Sequence, residues 1–155
     1  MTPLARARAA PARDDGNAIV EFLFVAVLVM VPLVYLIVAV AAVQRAQLAV
    51  TNAAREAGRA FATARTVPQG IARADLAARI AFDDAGLQDL PAVRFVPLAA
   101  SCTDATIDPT LTPGAEFTVC VRRSTEIPAV PSILQGRGIT NEGRYLLHID
   151  DYRSA

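Results

Sequence analysis

From Phe22 to Val43 the chain runs for 22 residues without a charge, FLFVAVLVMVPLVYLIVAVAAV. A helix rises about 1.5 Å per residue, so this run covers roughly 33 Å, enough to cross the hydrocarbon core of a bilayer. It is read as a single membrane-spanning helix. Pro32 lies inside it and would bend the helix and free one carbonyl, which neighbouring helices can tolerate. One carboxylate, Glu21, stands at the entry to the run. An acid in that position has to reach water, find a partner, or have its charge used.

The segment before the run, Met1 to Gly16, has no hydrophobic period and is rich in Ala, Pro and Arg. It is expected to be a disordered leader. Arg6, Arg8 and Arg13 favour a cytoplasmic N-terminus, although Arg45, Arg55, Arg59 and Arg65 flank the other side. A secretory signal has an apolar region of about 7–15 residues, shorter than this one. The small-x-small triplet Ala39-Val40-Ala41 leaves cleavage as an alternative.

The helical signal continues past the apolar run. Gln44 to Arg65 has no Pro, one Gly and many Ala, a composition of high helix propensity. At 100° per residue Ala46, Val50, Ala53, Ala57, Phe61 and Ala64 share one face, while Arg45, Asn52, Arg55 and Arg59 gather on the other. The narrow alanine stripe invites close packing against a sheet or a second helix. Pro68-Gln69-Gly70 is expected to break the rod, with a second helix from Ile71 to Ala85 stopped by Gly86.

Beyond Pro91 the stretches VRFVPLA, EFTVCVRRSTEI and RYLLHIDDY have the β-branched and aromatic content of strands. Turn-rich segments separate them. Phe117, Val119 and Val121 alternate with Glu116, Thr118, Cys120 and Arg122. The fold expected is α+β: a long N-terminal helix with a transmembrane half and an amphipathic half, a second short helix, and a small antiparallel sheet of three or four strands. The parts are leader 1–16, membrane helix 17–43, amphipathic continuation 44–66 and exported globular domain 67–155. The last parts come near the lower size limit for a self-supporting core.

The catalytic inventory is thin. There is one histidine, His148, set in the alternation YLLHID and read as a plain strand residue. No nucleophile elbow, phosphate loop or CxxC spacing occurs, so no catalytic residue, cofactor or metal is assigned. Net charge is zero, with 15 basic residues, all Arg, against 15 acids, which points away from nucleic acid. Asp83-Asp84 and Asp150-Asp151 read as surface charge at helix and chain ends. Cys102 and Cys120, an even pair placed outside the membrane, are read as a disulfide closing a loop of about 18 residues.

One constellation carries specific chemistry: Gly16-Asn17-Ala18-Ile19-Val20-Glu21-Phe22. A basic leader ending in Gly, an acid five residues later and then an apolar helix resemble a type IV prepilin. The G-x-x-x-x-E-F form is similar to the tight-adherence (Flp, type IVb) branch. The roughly 90 residues after the rod, the NAAREAGRAFA continuation, the Cys-containing sheet and the ending IDDYR resemble a TadE-like minor pilin or pseudopilin. The resemblance implies cleavage by a prepilin peptidase between Gly16 and Asn17. It also implies assembly through Glu21 and Phe22, with Glu21 neutralising the new ammonium of a neighbouring subunit. A carboxylate and an ammonium attract strongly in a low-dielectric helical bundle, where such a pair can specify register. The implied partners are the membrane, other pilin subunits, the assembly platform and the peptidase. The implied function is a non-enzymatic subunit of a pilus for surface attachment. Alternatives are a pseudopilin of type II secretion and a signal-anchored envelope domain that binds a ligand without polymerising.

Overall fold

The computed structural model describes residues 17–125 and 138–152. The chain divides into two compact units, Met1–Ile37 and Val38–Ala155. Five elements follow in order: α1 (Asn17–Ala62), α2 (Val67–Asp84), β1 (Ala92–Val96), β2 (Glu116–Thr125) and β3 (Ile139–His148). The strands form one antiparallel sheet in the order β1-β2-β3. The architecture is α+β, with a long N-terminal helix, a shorter second helix and a three-stranded sheet.

In the second unit, Ala46, Val50, Ala53, Ala57, Phe61 and Ala64 are fully buried, and Arg45, Asn52, Arg55 and Arg59 are exposed. The periodicity of the sequence therefore defines the seam. Its partners are α2, through Ala74, Ala78 and Phe82, and one sheet face, through Phe95, Phe117, Val119, Val121, Leu147 and Ile149. Phe61 anchors the centre. Its ring lies 5.0 Å from that of Phe95 and 5.7 Å from that of Phe117, in tilted and edge-on contacts.

Two close approaches set the fit of α1 on β3. A Cβ placed on Gly143 would fall 1.9 Å from the Val50 carbonyl oxygen, and one on Gly58 would fall 2.4 Å from a ring carbon of Tyr145. Gln47 Nε2 also donates to the Glu142 carbonyl oxygen at 3.0 Å, tying helix to strand beside the first of these. The alanine stripe and the glycine thus let backbone meet backbone.

Three boundaries differ from the sequence reading. The second helix starts at Val67, so Pro68, Gln69 and Gly70 form its first turn and the break falls at Thr63–Thr66. Proline is at home there, since first-turn N–H groups have no helical acceptor. Thr66 accepts from Gln69 N–H at 3.4 Å, and Gln69 Oε1 accepts from Arg65 N–H at 3.1 Å, a reciprocal arrangement like a capping box. Gly70 also meets the Phe61 ring, with room for no Cβ. The third strand begins at Ile139, taking in residues that read as turn, and it ends at His148, before the acidic Asp150-Asp151. The first strand stops at Val96, where the chain enters a turn in which Ala100 N–H donates to the Pro97 oxygen. At its other end α2 closes with Gly86 at φ +70°, donating to the Asp83 oxygen while Leu87 donates to that of Phe82.

The second face of β1 and β2 is covered too. Residues after β1 fold back over Val96 and Cys120, and a small cluster forms with Cys102 and Ala100. Arg94 pins this segment, donating to the Cys102 oxygen at 2.9 Å and the Asp104 oxygen at 3.1 Å.

Candidate functional site

The segment singled out by sequence begins at Gly16, which lies outside the described residues, as does the side chain of Asn17. The helix α1 starts at Asn17, and helical geometry sets position 21 one turn beyond position 17. Glu21 is exposed and has no ion pair among the described residues. Phe22 is 72% exposed.

Every large apolar side chain from Ile19 to Ile37 is uncovered, between 37% and 72% exposed. A helix that is apolar on all sides has to be covered by something other than water. The helix is long and apolar enough to cross a membrane.

Cys102 and Cys120 are joined in a disulfide, with Cα atoms 5.6 Å apart and both side chains buried. It fastens the segment after β1 to the central strand. Among the described residues no group of three or more His, Cys, Asp and Glu could hold a metal ion. His148 stands at the end of β3 with Nδ1 3.2 Å from Glu116 Oε1 and Nε2 3.6 Å from Asp151 Oδ2, all half-exposed.

The charges of the second unit fall into two groups. Some are paired within the fold. Arg123 grips Asp89 with two hydrogen bonds, Nε to Oδ2 and Nη2 to Oδ1 at 3.0 Å, and these hold the Asp89 carboxyl below its usual range. Arg122 Nε lies 2.9 Å from Glu142 Oε1, close enough for ionic attraction but without the alignment of a hydrogen bond. Others have no close acidic partner among the described residues, Arg59 reaching only Glu56 at 3.8 Å. Arg55, Arg59 and Arg144 line an open cleft of about 770 Å³ with Thr118, Tyr145 and Leu146. Asp83 and Asp84 sit exposed in the last turn of α2, which carries no basic residue, and Asp84 shares a groove with Arg45 of α1.

No family model matches the chain, and comparison with curated proteins and with solved structures returns no match.

The sequence reading placed Arg55 and Arg59 on a solvated face and did not connect them with Arg144, some 85 positions further on. Only the register of β3 against α1 brings the three together. Gly143 was equally hidden, inside what read as a turn. The signal that could have exposed it is a lone Gly within a strand-forming stretch, a mark of close backbone approach.

Proposed function

We propose that this chain is a non-enzymatic, membrane-anchored subunit of a tight-adherence-type pilus, a minor pilin or pseudopilin resembling the TadE-like group. The observation that carries the reading is the first half of α1, uncovered on every side and headed by one exposed carboxylate, Glu21. A helix of this kind is built to be covered by lipid and then by like helices, and lipid exchanges for helix without a large change in apolar contact. The carboxylate gives that exchange a register, because cleavage after Gly16 creates an ammonium at Asn17 for a neighbour's Glu21 to meet.

In this reading the N-terminus is cytoplasmic and the sheet-bearing unit lies outside, where a buried disulfide persists. The partners are other pilin subunits, the assembly platform and the prepilin peptidase. Gly16→Leu blocks cleavage and incorporation, because the peptidase requires a residue without a side chain at the cut. Glu21→Ala and Glu21→Gln are cleaved but assemble poorly. The readouts are the N-terminal mass and the pilus yield of each variant. If the wild type keeps residues 1–16 and Glu21→Ala behaves as the wild type, the chain is an envelope anchor that does not polymerise.

A further inference from the structure

We infer that the cleft of Arg55, Arg59 and Arg144 receives the Asp83-Asp84 end of α2 from a second copy of this chain. The inference rests on the proposed function only in that it needs many copies side by side.

Both halves of the contact are incomplete within one copy. Among the described residues Arg55 and Arg144 have no acidic partner, and Arg59 has only a loose one, Glu56 at 3.8 Å. Three guanidiniums on one cleft repel one another and offer planar donors to carboxylates. Asp83 and Asp84 stand at the C-terminal end of a helix, where the macrodipole disfavours negative charge, with no basic residue in that turn. The two groups are opposite in charge and suited to each other. Tyr145 and Leu146 give the cleft an apolar floor beside its charges, and Leu146 is 62% exposed.

Within one copy no ion pair joins the two sites among the described residues. The cleft borders β3, whereas Asp84 shares a groove with Arg45, Leu48 and Asn52 on the α2 side. A contact between two different patches that does not close on itself is heterologous, and repeated it propagates a line or helix of subunits. That is the geometry a filament needs. The chain's overall neutrality is consistent with this, since its charges are segregated and not absent.

The test uses the full chain, purified in mild detergent at low salt and followed by analytical ultracentrifugation. The wild type self-associates, and the associated fraction falls as salt rises. Arg55→Glu with Arg144→Glu, and separately Asp83→Arg with Asp84→Arg, each place like charges face to face and weaken association roughly tenfold or more. An equimolar mixture of the two variants restores it, because each supplies the charge the other lacks. A wild type that stays monomeric, reversed variants that associate as the wild type does, or a mixture without rescue overturns the proposal. So does a cleft variant that associates normally but no longer binds phosphatidylglycerol vesicles, which would assign the cleft to lipid headgroups. In cells the two readings separate. A wild type that is cleaved and assembled, with cleft variants assembling equally well, sinks this inference and leaves the proposed function standing. An uncleaved wild type that never assembles, yet pairs through the cleft in detergent, does the reverse.

Discussion

Replacing Gly143 with Ala should be among the most damaging single-methyl changes in the molecule. The added Cβ would lie 1.9 Å from the Val50 oxygen, 2.3 Å from its carbonyl carbon and 2.7 Å from Thr51 nitrogen. All three are backbone atoms of α1, so no rotamer change relieves the clash and the strand has to move off the helix. Overpacking a core costs about 1–3 kcal/mol where side chains can give way. Here they cannot, and a loss of about 3 kcal/mol or more is expected. Gly58→Ala is the matched control. Its new Cβ meets the half-buried Tyr145 ring, which can swing, and Ala recovers up to about 1 kcal/mol of helix propensity. At about 4–8 °C per kcal/mol for a domain near this size, Gly143→Ala lowers the melting temperature by roughly 12–24 °C and Gly58→Ala by far less. Circular dichroism of the detergent-solubilised chain, with the disulfide intact, gives both values. If Gly143→Ala melts within about 2 °C of the wild type, β3 does not lie on α1 at Val50 and the packing described here is wrong.

Three further outcomes follow from the same structure. Phe61→Asp, in the fully buried three-phenylalanine cluster, removes packing worth about 3–5 kcal/mol and adds an unpaired buried charge. Arg59→Asp, on the exposed side, stays within about 0.5 kcal/mol; equal accumulation of the two proteins in cells would contradict the assigned faces. Replacing both Cys102 and Cys120 by Ala lowers stability to denaturant by about 3 kcal/mol, the loop-closure value for a separation of 18, and an unchanged midpoint would show that the bond constrains nothing. Asp89→Asn costs under about 1 kcal/mol at neutral pH, because its pair with Arg123 is partly exposed to solvent. Since the Arg123 guanidinium holds the folded carboxyl below the ordinary aspartate range, that stability is present above about pH 4 and fades as pH falls through the lower folded value. The mutant and wild-type curves should therefore converge in strong acid.

Much of this was legible in the chain because it depends on local period. The apolar run, the stripe from Ala46 to Ala64 and the alternation of Phe117, Val119 and Val121 each follow from spacing along one element. What escaped depends on context. Pro68 reads as a breaker unless Thr66 is known to cap the helix just ahead of it, after which the same residue starts one. Ile139 to Gly143 read as turn because Asn and Gly have poor strand propensity. Pairing with β2 from Ile139↔Thr125 to Gly143↔Val121, and the Asn141 amide's 2.7 Å bond to Thr125 Oγ1, override that preference. The prepilin-like segment remains a matter of sequence, since Gly16 falls outside the described residues.

A seam of alanines explains why so many separate devices appear in so small a unit. Apolar burial stabilises by about 25 cal/mol per Å², and alanine has little side-chain area to bury. Ala46, Ala49, Ala53, Ala54 and Ala57 therefore contribute mainly by letting α1 approach its neighbours closely. Dispersion across that short distance, with backbone against backbone at Gly143, replaces part of what larger side chains would supply. Three phenylalanines concentrate most of the remaining aromatic burial at one point, and the disulfide restrains the segment covering the second sheet face. Such a core tolerates little added volume inside the seam, while leaving the outer flanks of α1 and α2 free to carry charge. Mutational sensitivity should accordingly follow distance from the α1–β3 contact: methyl-sized changes disrupt the seam, whereas full charge reversals on the flanks leave folding intact and alter association.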